Sequence, residues 1–110
     1  MSVTFSIEVG TLTVECNHNN VRACCLMERA GLDVEKDLCG VIKHEELLFA
    51  IKNLLNVHQE AKASLEAYLN QKPNNSPIPF SEAKYYEHAS QGLLGLFSLA
   101  YTLGKDVHYS

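Results

Sequence analysis

From Val3 to Val9 apolar and polar side chains alternate without exception, Val3, Phe5, Ile7 and Val9 against Thr4, Ser6 and Glu8. Successive side chains of a strand point to opposite faces, so this run is a strand with one apolar face. Gly10-Thr11 interrupts it and fits a two-residue hairpin turn with glycine first, after which Leu12, Val14 and Cys16 resume the pattern. Pairing Val9 with Leu12 sets Ile7 opposite Val14 and Phe5 opposite Cys16, every apolar side chain on one face. A slip of one residue would scatter them, so the pattern fixes a β-hairpin over 3–16 and its register.

Helices must cover that face. Asn17-His18-Asn19-Asn20 ends the second strand and supplies a favoured N-cap, predicting a helix over 20–30 that stops at Gly31. Asp33 caps a short turn through Leu38, which Cys39-Gly40 closes, and Val41 and Ile42 lead into a longer pattern. Over 43–70, Leu47, Ile51, Leu54, His58, Ala61, Leu65 and Tyr68 recur in steps of four and three, a heptad seam with one polar member. All three prolines fall between Asn70 and Phe80, which is therefore a loop. A last helix is predicted over 81–103, with Ser81 as N-cap, Phe80 stapled onto Tyr85, and a seam of Tyr86, Ala89, Leu93, Leu96, Ala100 and Leu103 ended by Gly104. Residues 106–110 form a short strand.

The two long helices should pack as an antiparallel hairpin, with Gly92 and Gly95 allowing close approach. At about 1.5 Å per residue each is roughly 35–40 Å long, more than a compact domain of this size is wide. They bend, near Asn56, or extend into a partner. The fold class is α+β: a β-hairpin with a C-terminal strand, packed on one short and two long helices.

At 110 residues the chain is long enough for one domain, 1–110, and its 46% apolar and 20% charged residues are those of a globular protein. Nine Lys and Arg against thirteen Asp and Glu give a net charge of −4 without a basic cluster, which argues against nucleic acid as a partner. The N-terminus lacks a basic region ahead of an apolar run, and no stretch is apolar for long enough to span a bilayer. The expected location is the cytoplasm, with no membrane contact and with Cys16, Cys24, Cys25 and Cys39 reduced.

Asn17 to Ala23, then Leu26, Gly31-Leu32, Cys39 to Ile42, Leu47 and Ile51 resemble a family of small uncharacterised bacterial and phage proteins. The resemblance implies a strand, an Asn-rich cap, a short helix ending in Gly-Leu and two further helices closing on a strand. It carries no catalytic residue across.

The capping segment is the one candidate ligand site: His18, Asn19, Asn20 and Arg22 surround a helix N-terminus suited to a nucleotide-like anion. The alternative role of these residues is capping and turn formation. The cysteines with His18 and His44 include enough soft ligands for zinc, yet lack the paired spacing that organises a zinc site, so no metal or cofactor is predicted. A cysteine nucleophile with His18 or His44 as base is the third class of reading, without an orienting residue to support it, and no catalytic residue is assigned. His58 reads as a hydrogen-bonded core residue, and Tyr85, Tyr86 and His88 as core packing or a partner surface. The leading expectation is a non-enzymatic binding or regulatory protein acting through protein contacts, a homodimer through the helical hairpin with Leu48, Leu55, Leu94 and Phe97 at the interface.

Overall fold

A computed structural model describes residues 2–32, 39–70 and 79–110. The elements run β1 (Ser2–Val9), β2 (Leu12–Asn19), α1 (Asn20–Arg29), β3 (Gly40–Ile42), α2 (His44–Leu69), α3 (Phe80–Leu103) and β4 (Val107–Tyr109). The four strands form one antiparallel sheet in the order β2-β1-β4-β3. The hairpin has the expected register, Val9 opposite Leu12, Ile7 opposite Val14 and Phe5 opposite Cys16, and β2 continues three residues further to Asn19. The short turn expected between Asp33 and Leu38 lies outside the described residues, as does most of the proline-rich connection. Val41 and Ile42 belong to a strand that the sequence pattern did not call for; Gly40 pairs with Tyr109 and Ile42 with Val107.

Val3, Phe5 and Ile7 of β1, with Val107 and Tyr109 of β4, give the sheet a buried apolar face. Helices α1 and α3 lie against β1 and β2, and α2 packs along α3 and touches α1. Gly31 ends α1 at φ +77°, with Leu32 N–H donating to Met27 O (3.0 Å) and Gly31 N–H to Glu28 O (3.0 Å), a Schellman closure. A Cβ there would also stand 2.6 Å from the Phe49 ring and 2.8 Å from Asn53 Nδ2, so α1 and α2 meet at this glycine. Asn53 Nδ2 donates to Ala30 O (2.9 Å) across the same junction. The start of α2 is capped from a distance: Asp106 Oδ1, just before β4, accepts from His44 N–H at 2.7 Å. At the positive end of a helix a carboxylate is favourably placed.

Several expectations require correction. The buried row of α2 is Leu47, Ala50, Leu54, Val57, Ala61 and Ser64, so the seam is rotated from Ile51, His58 and Leu65 toward α1. Pro79, not Ser81, is the N-cap of α3; its carbonyl accepts from Ala83 N–H at 2.9 Å. Phe80 then stacks edge-on with Tyr68 (5.3 Å between centroids) rather than on Tyr85. Leu103 is exposed, whereas Ser90 and Phe97 join the buried face of α3. Neither Gly92 nor Gly95 meets α2: Gly92 lies against Cys16 of β2, and Gly95 is open. The length of α2 and α3 is absorbed by an elongated shape, 47 × 28 × 22 Å.

Phe97 is 1% exposed and sits 6.4 Å from the Phe5 ring, inside the chain's own core and not at an outer interface. Replacing Phe97 by Ala should lower the unfolding free energy by roughly 3–5 kcal/mol, the cost of a large aromatic cavity. Leu103→Ala should stay within about 0.5 kcal/mol. Urea denaturation of the two variants checks the assignment, and equal losses would contradict it.

Candidate functional site

The junction of β2 and α1 is built by the asparagines. Asn19 Oδ1 accepts the N–H of Arg22 at 2.9 Å, so this side chain occupies the helix N-terminus as a cap. Asn17, on the outer face, donates to Ser2 Oγ (3.2 Å) and Thr4 Oγ1 (2.8 Å) and ties β2 to β1. Asn20 is the first residue of α1 and is half-buried. Asn19 thus serves the backbone, while His18 and Arg22 meet Tyr85 of α3.

His18 lies two residues after Cys16 on the inner face of β2, and the two side chains meet at 3.2 Å between Sγ and Nε2. On the other side of the ring, Nδ1 stands 3.3 Å from the Tyr85 hydroxyl. In one tautomer the thiol donates to Nε2 and Nδ1–H donates to tyrosine; in the other the tyrosine donates and Nε2–H points at sulfur. Burial lowers the His18 pKa, helped by the nearby His88, and burial raises that of Cys16. Tyr85 is pushed up to about 12, chiefly by burial, against the opposing pull of Arg22. Burial therefore favours three neutral groups, the opposite of the thiolate beside imidazolium that a cysteine nucleophile uses. Helix α3 also covers the thiol: a Cβ on Gly92 would sit 3.3 Å from Cys16 Sγ.

Above this chain runs a groove between the first turns of α1 and α3. The Arg22 guanidinium lies 4.3 Å from the centre of the Tyr85 ring. Lys84, His88 and Ser81 line the groove beside it, a space of about 360 Å³. An adjoining hollow of about 200 Å³ shares Arg22, Ser81 and Tyr85 and adds Cys25, Glu82 and Tyr86. The ion pairs found among the described residues are Arg29 with Glu60 (3.5 Å) and Lys43 with Asp106 (3.9 Å), which leaves Arg22 and Lys84 without a carboxylate partner there. An arginine stacked on an aromatic ring keeps its edge donors free for an oxyanion. Lys84 and His88 are one helical turn apart on α3, a spacing visible in the sequence, but only the fold reveals that this turn faces Arg22.

The remaining candidates have structural partners. His44 stacks on Tyr101 (5.1 Å, 7° between planes) and its Nε2 lies 3.0 Å from Tyr101 O. His58 Nδ1 faces Glu87 O (3.2 Å) and Ser90 Oγ (3.3 Å). Cys24 and Cys25 are half-buried, whereas Cys39 is exposed. Among the described residues no three His, Cys, Asp or Glu side chains come together as a metal site, and no helix is long and apolar enough to cross a membrane. A wider depression on the outer face of the sheet mixes Glu8 and Asp106 with Lys105 and His108, so it has no charge preference to set against that of the groove. Of the expected interface residues, Leu48 and Leu55 are exposed, Leu94 is half-buried against the core and Phe97 is inside.

Comparison with protein-family models, with curated proteins and with solved structures gave no match. The site is therefore read from its own geometry.

The neutral chain sets a pH window. Below pH 6.5 an unfolded His18 takes up a proton that the folded side chain resists, so the unfolded state binds more protons and stability falls on acidification. Above pH 9 the unfolded thiol, and then the unfolded tyrosine, lose protons that Cys16 and Tyr85 retain when folded, so stability falls again. Urea midpoints should be flat between those limits, and His18→Gln should make the acid limb shallower. An acid limb of unchanged slope in that variant would contradict a neutral, half-buried His18.

Proposed function

We propose that this chain is a non-enzymatic binding protein whose groove between α1 and α3 holds an anion attached to a flat organic body, the class to which nucleotides belong. The observation that carries this reading is Arg22, stacked on Tyr85 and without an ion-pair partner among the described residues, facing Lys84 and His88 across one groove. Two cations and a histidine around a concave surface attract a phosphate or carboxylate, and the planar fork of arginine favours two-pronged contact. The adjoining hollow, with Tyr86 on its wall and Glu82 able to accept a hydrogen bond, suits the uncharged remainder of such a molecule.

A second reading, contact with a protein partner, is supported by the outer stripe of α2. Leu48 (42% exposed) and Leu55 (44%) lie two turns apart with the half-buried Ile51 between them. Phe97 and Leu94 turn inward, so this stripe is narrower than the four-residue interface expected from sequence.

Titration with inorganic phosphate and with nucleoside monophosphates, followed by amide chemical shifts, tests the first reading. Signals of Arg22 and of residues 81–88 should move saturably, and Arg22→Ala should abolish the response. The variant's unfolding free energy should fall by only about 0.5–1 kcal/mol, the worth of an exposed cation–π contact. No saturable shift with any compound would leave the partner-binding reading as the better account.

A further inference from the structure

We propose that β2 is the strand through which two copies of this chain join, pairing antiparallel with its counterpart about a two-fold axis at Cys16 and extending the sheet from four strands to eight.

The sheet order leaves β2 and β3 at the edges, and β2 is the long one, eight residues without proline. Thr4 exchanges both backbone hydrogen bonds with Ser110 (2.8 and 3.1 Å), so its N–H and C=O point toward β4. Alternation along β1 then directs Val3, Phe5, Ile7 and Val9 toward β2, and their partners His18, Cys16, Val14 and Leu12 back toward β1. The N–H and C=O groups of Thr13, Glu15 and Asn17 consequently face outward along the open edge. Such a row is a template for another strand.

The side chains on this edge fit a second copy of themselves. Glu15 is the one formal charge of β2. Pairing centred on Glu15 would set two carboxylates directly opposite, which is unfavourable. Pairing centred on Cys16 sets Glu15 opposite Asn17 of the other copy, Thr13 opposite Asn19 and Val14 opposite His18, with about six new backbone hydrogen bonds. The same register sets Leu12 opposite Asn20 of the other copy, one residue before Val21 in the first turn of α1. Leu12 and Val21 are two of the most exposed large apolar side chains of the described residues, at 70% and 75%, one at the start of β2 and the other two residues beyond its end. Antiparallel pairing covers both at once, whereas centring on Val14 would set Leu12 opposite Cys16 and leave Val21 uncovered.

Helix α3 lies over β2, with Gly92 against Cys16 and Tyr85 against His18. Joining two β2 strands therefore sets two α3 helices side by side. Gly92 is taken up by Cys16 of its own β2, but Gly95, three residues further on, is open: a Cβ there would meet nothing within 4 Å in its own chain. Glycine inside a helix is destabilising, and nothing in this chain's own packing requires it at position 95. Close approach of a second α3 does.

The test is the mass of the full chain in solution together with a charge series at position 17. Sedimentation equilibrium at micromolar concentration should give two chains. Asn17→Glu places like charges opposite each other twice per dimer and should weaken association, while Asn17→Lys places Lys opposite Glu15 twice and should tighten it, the two dissociation constants differing by roughly tenfold or more. Urea denaturation of each variant measures the change within one chain, since position 17 also meets the Ser2 and Thr4 hydroxyls, and the pairing is read from association at equal fold stability. Glu15→Lys combined with Asn17→Glu should restore association. A wild-type mass of one chain overturns the proposal. So does a dimer indifferent to the charge at position 17, or one broken instead by Leu48→Lys, which would place the contact on α2. Arg22 lies outside this ladder, so the anion titration succeeds or fails independently.

Discussion

Phe5 is the side chain on which the rest of the molecule depends. It is wholly buried at the centre of β1, opposite Cys16 on one side and Tyr109 on the other, so its position sets the register of both neighbouring strands. Its ring lies 5.9 Å from Tyr109, 6.4 Å from Phe97 and 6.2 Å from His18. One residue therefore ties together β2, β4 and α3. Because a strand alternates its faces, placing Phe5 inward obliges Cys16 and His18 to face inward too. The polar chain from Cys16 to Tyr85 follows from the apolar core and is not a separate design.

That consequence explains the chemistry of the site. A thiol and an imidazole on the inner face of the sheet, half-buried under the phenol of α3, pair with one another, since polar groups turned away from water are costly unless partnered. Among the described residues no buried side-chain nitrogen or oxygen lacks a partner. The same burial holds the groups neutral, so the charge that distinguishes the groove is supplied by residues outside the core, Arg22 and Lys84. His18 and Tyr85 position the floor, and the exposed cations give it its sign.

Where the sequence was legible, a single local pattern decided the outcome. The hairpin register, the Asn19 cap, the Gly31 stop and most of the α3 seam rest on periods of two or 3.6 residues and on side chains within four positions of one another. Two adjacent apolar rows on α2 defeated that logic. Leu47, Leu54 and Ala61 belong to both, and the choice of Ala50, Val57 and Ser64 over Ile51, His58 and Leu65 comes from contact with α1 at Phe49 and Asn53. Strand β3 is three residues long, too short to show alternation, and exists because β4 offers it a partner. The Asp106 cap bridges 62 positions and the meeting of His18 with Tyr85 bridges 67, separations that no local pattern encodes. His18 and Arg22 were recognisable as ligand candidates and His88 as core packing or a partner surface; Lys84, and the meeting of Lys84 and His88 with Arg22, became visible only once α3 was placed over β2.

The groove's location follows from a mismatch of lengths. An eight-residue strand spans about 26 Å, whereas a 26-residue helix spans about 39 Å, so α2 and α3 outrun the sheet that supports them. At one end the excess is closed by the tie between His44, Tyr101 and Asp106. Helix α1 lies across the two, resting on α2 through Gly31 and Asn53 and on α3 through Arg22 and Arg29, whose guanidinium lies 5.4 Å from the Tyr86 ring. A ten-residue helix is too short to close a gap along the whole overhang, so a concave seam remains where its first turn faces the first turns of α3. Such seams between elements are common places for ligand sites, because both walls are held by the core while the space between them is not needed for packing. In this chain the walls carry cations and rings, and the core beneath them has been kept neutral.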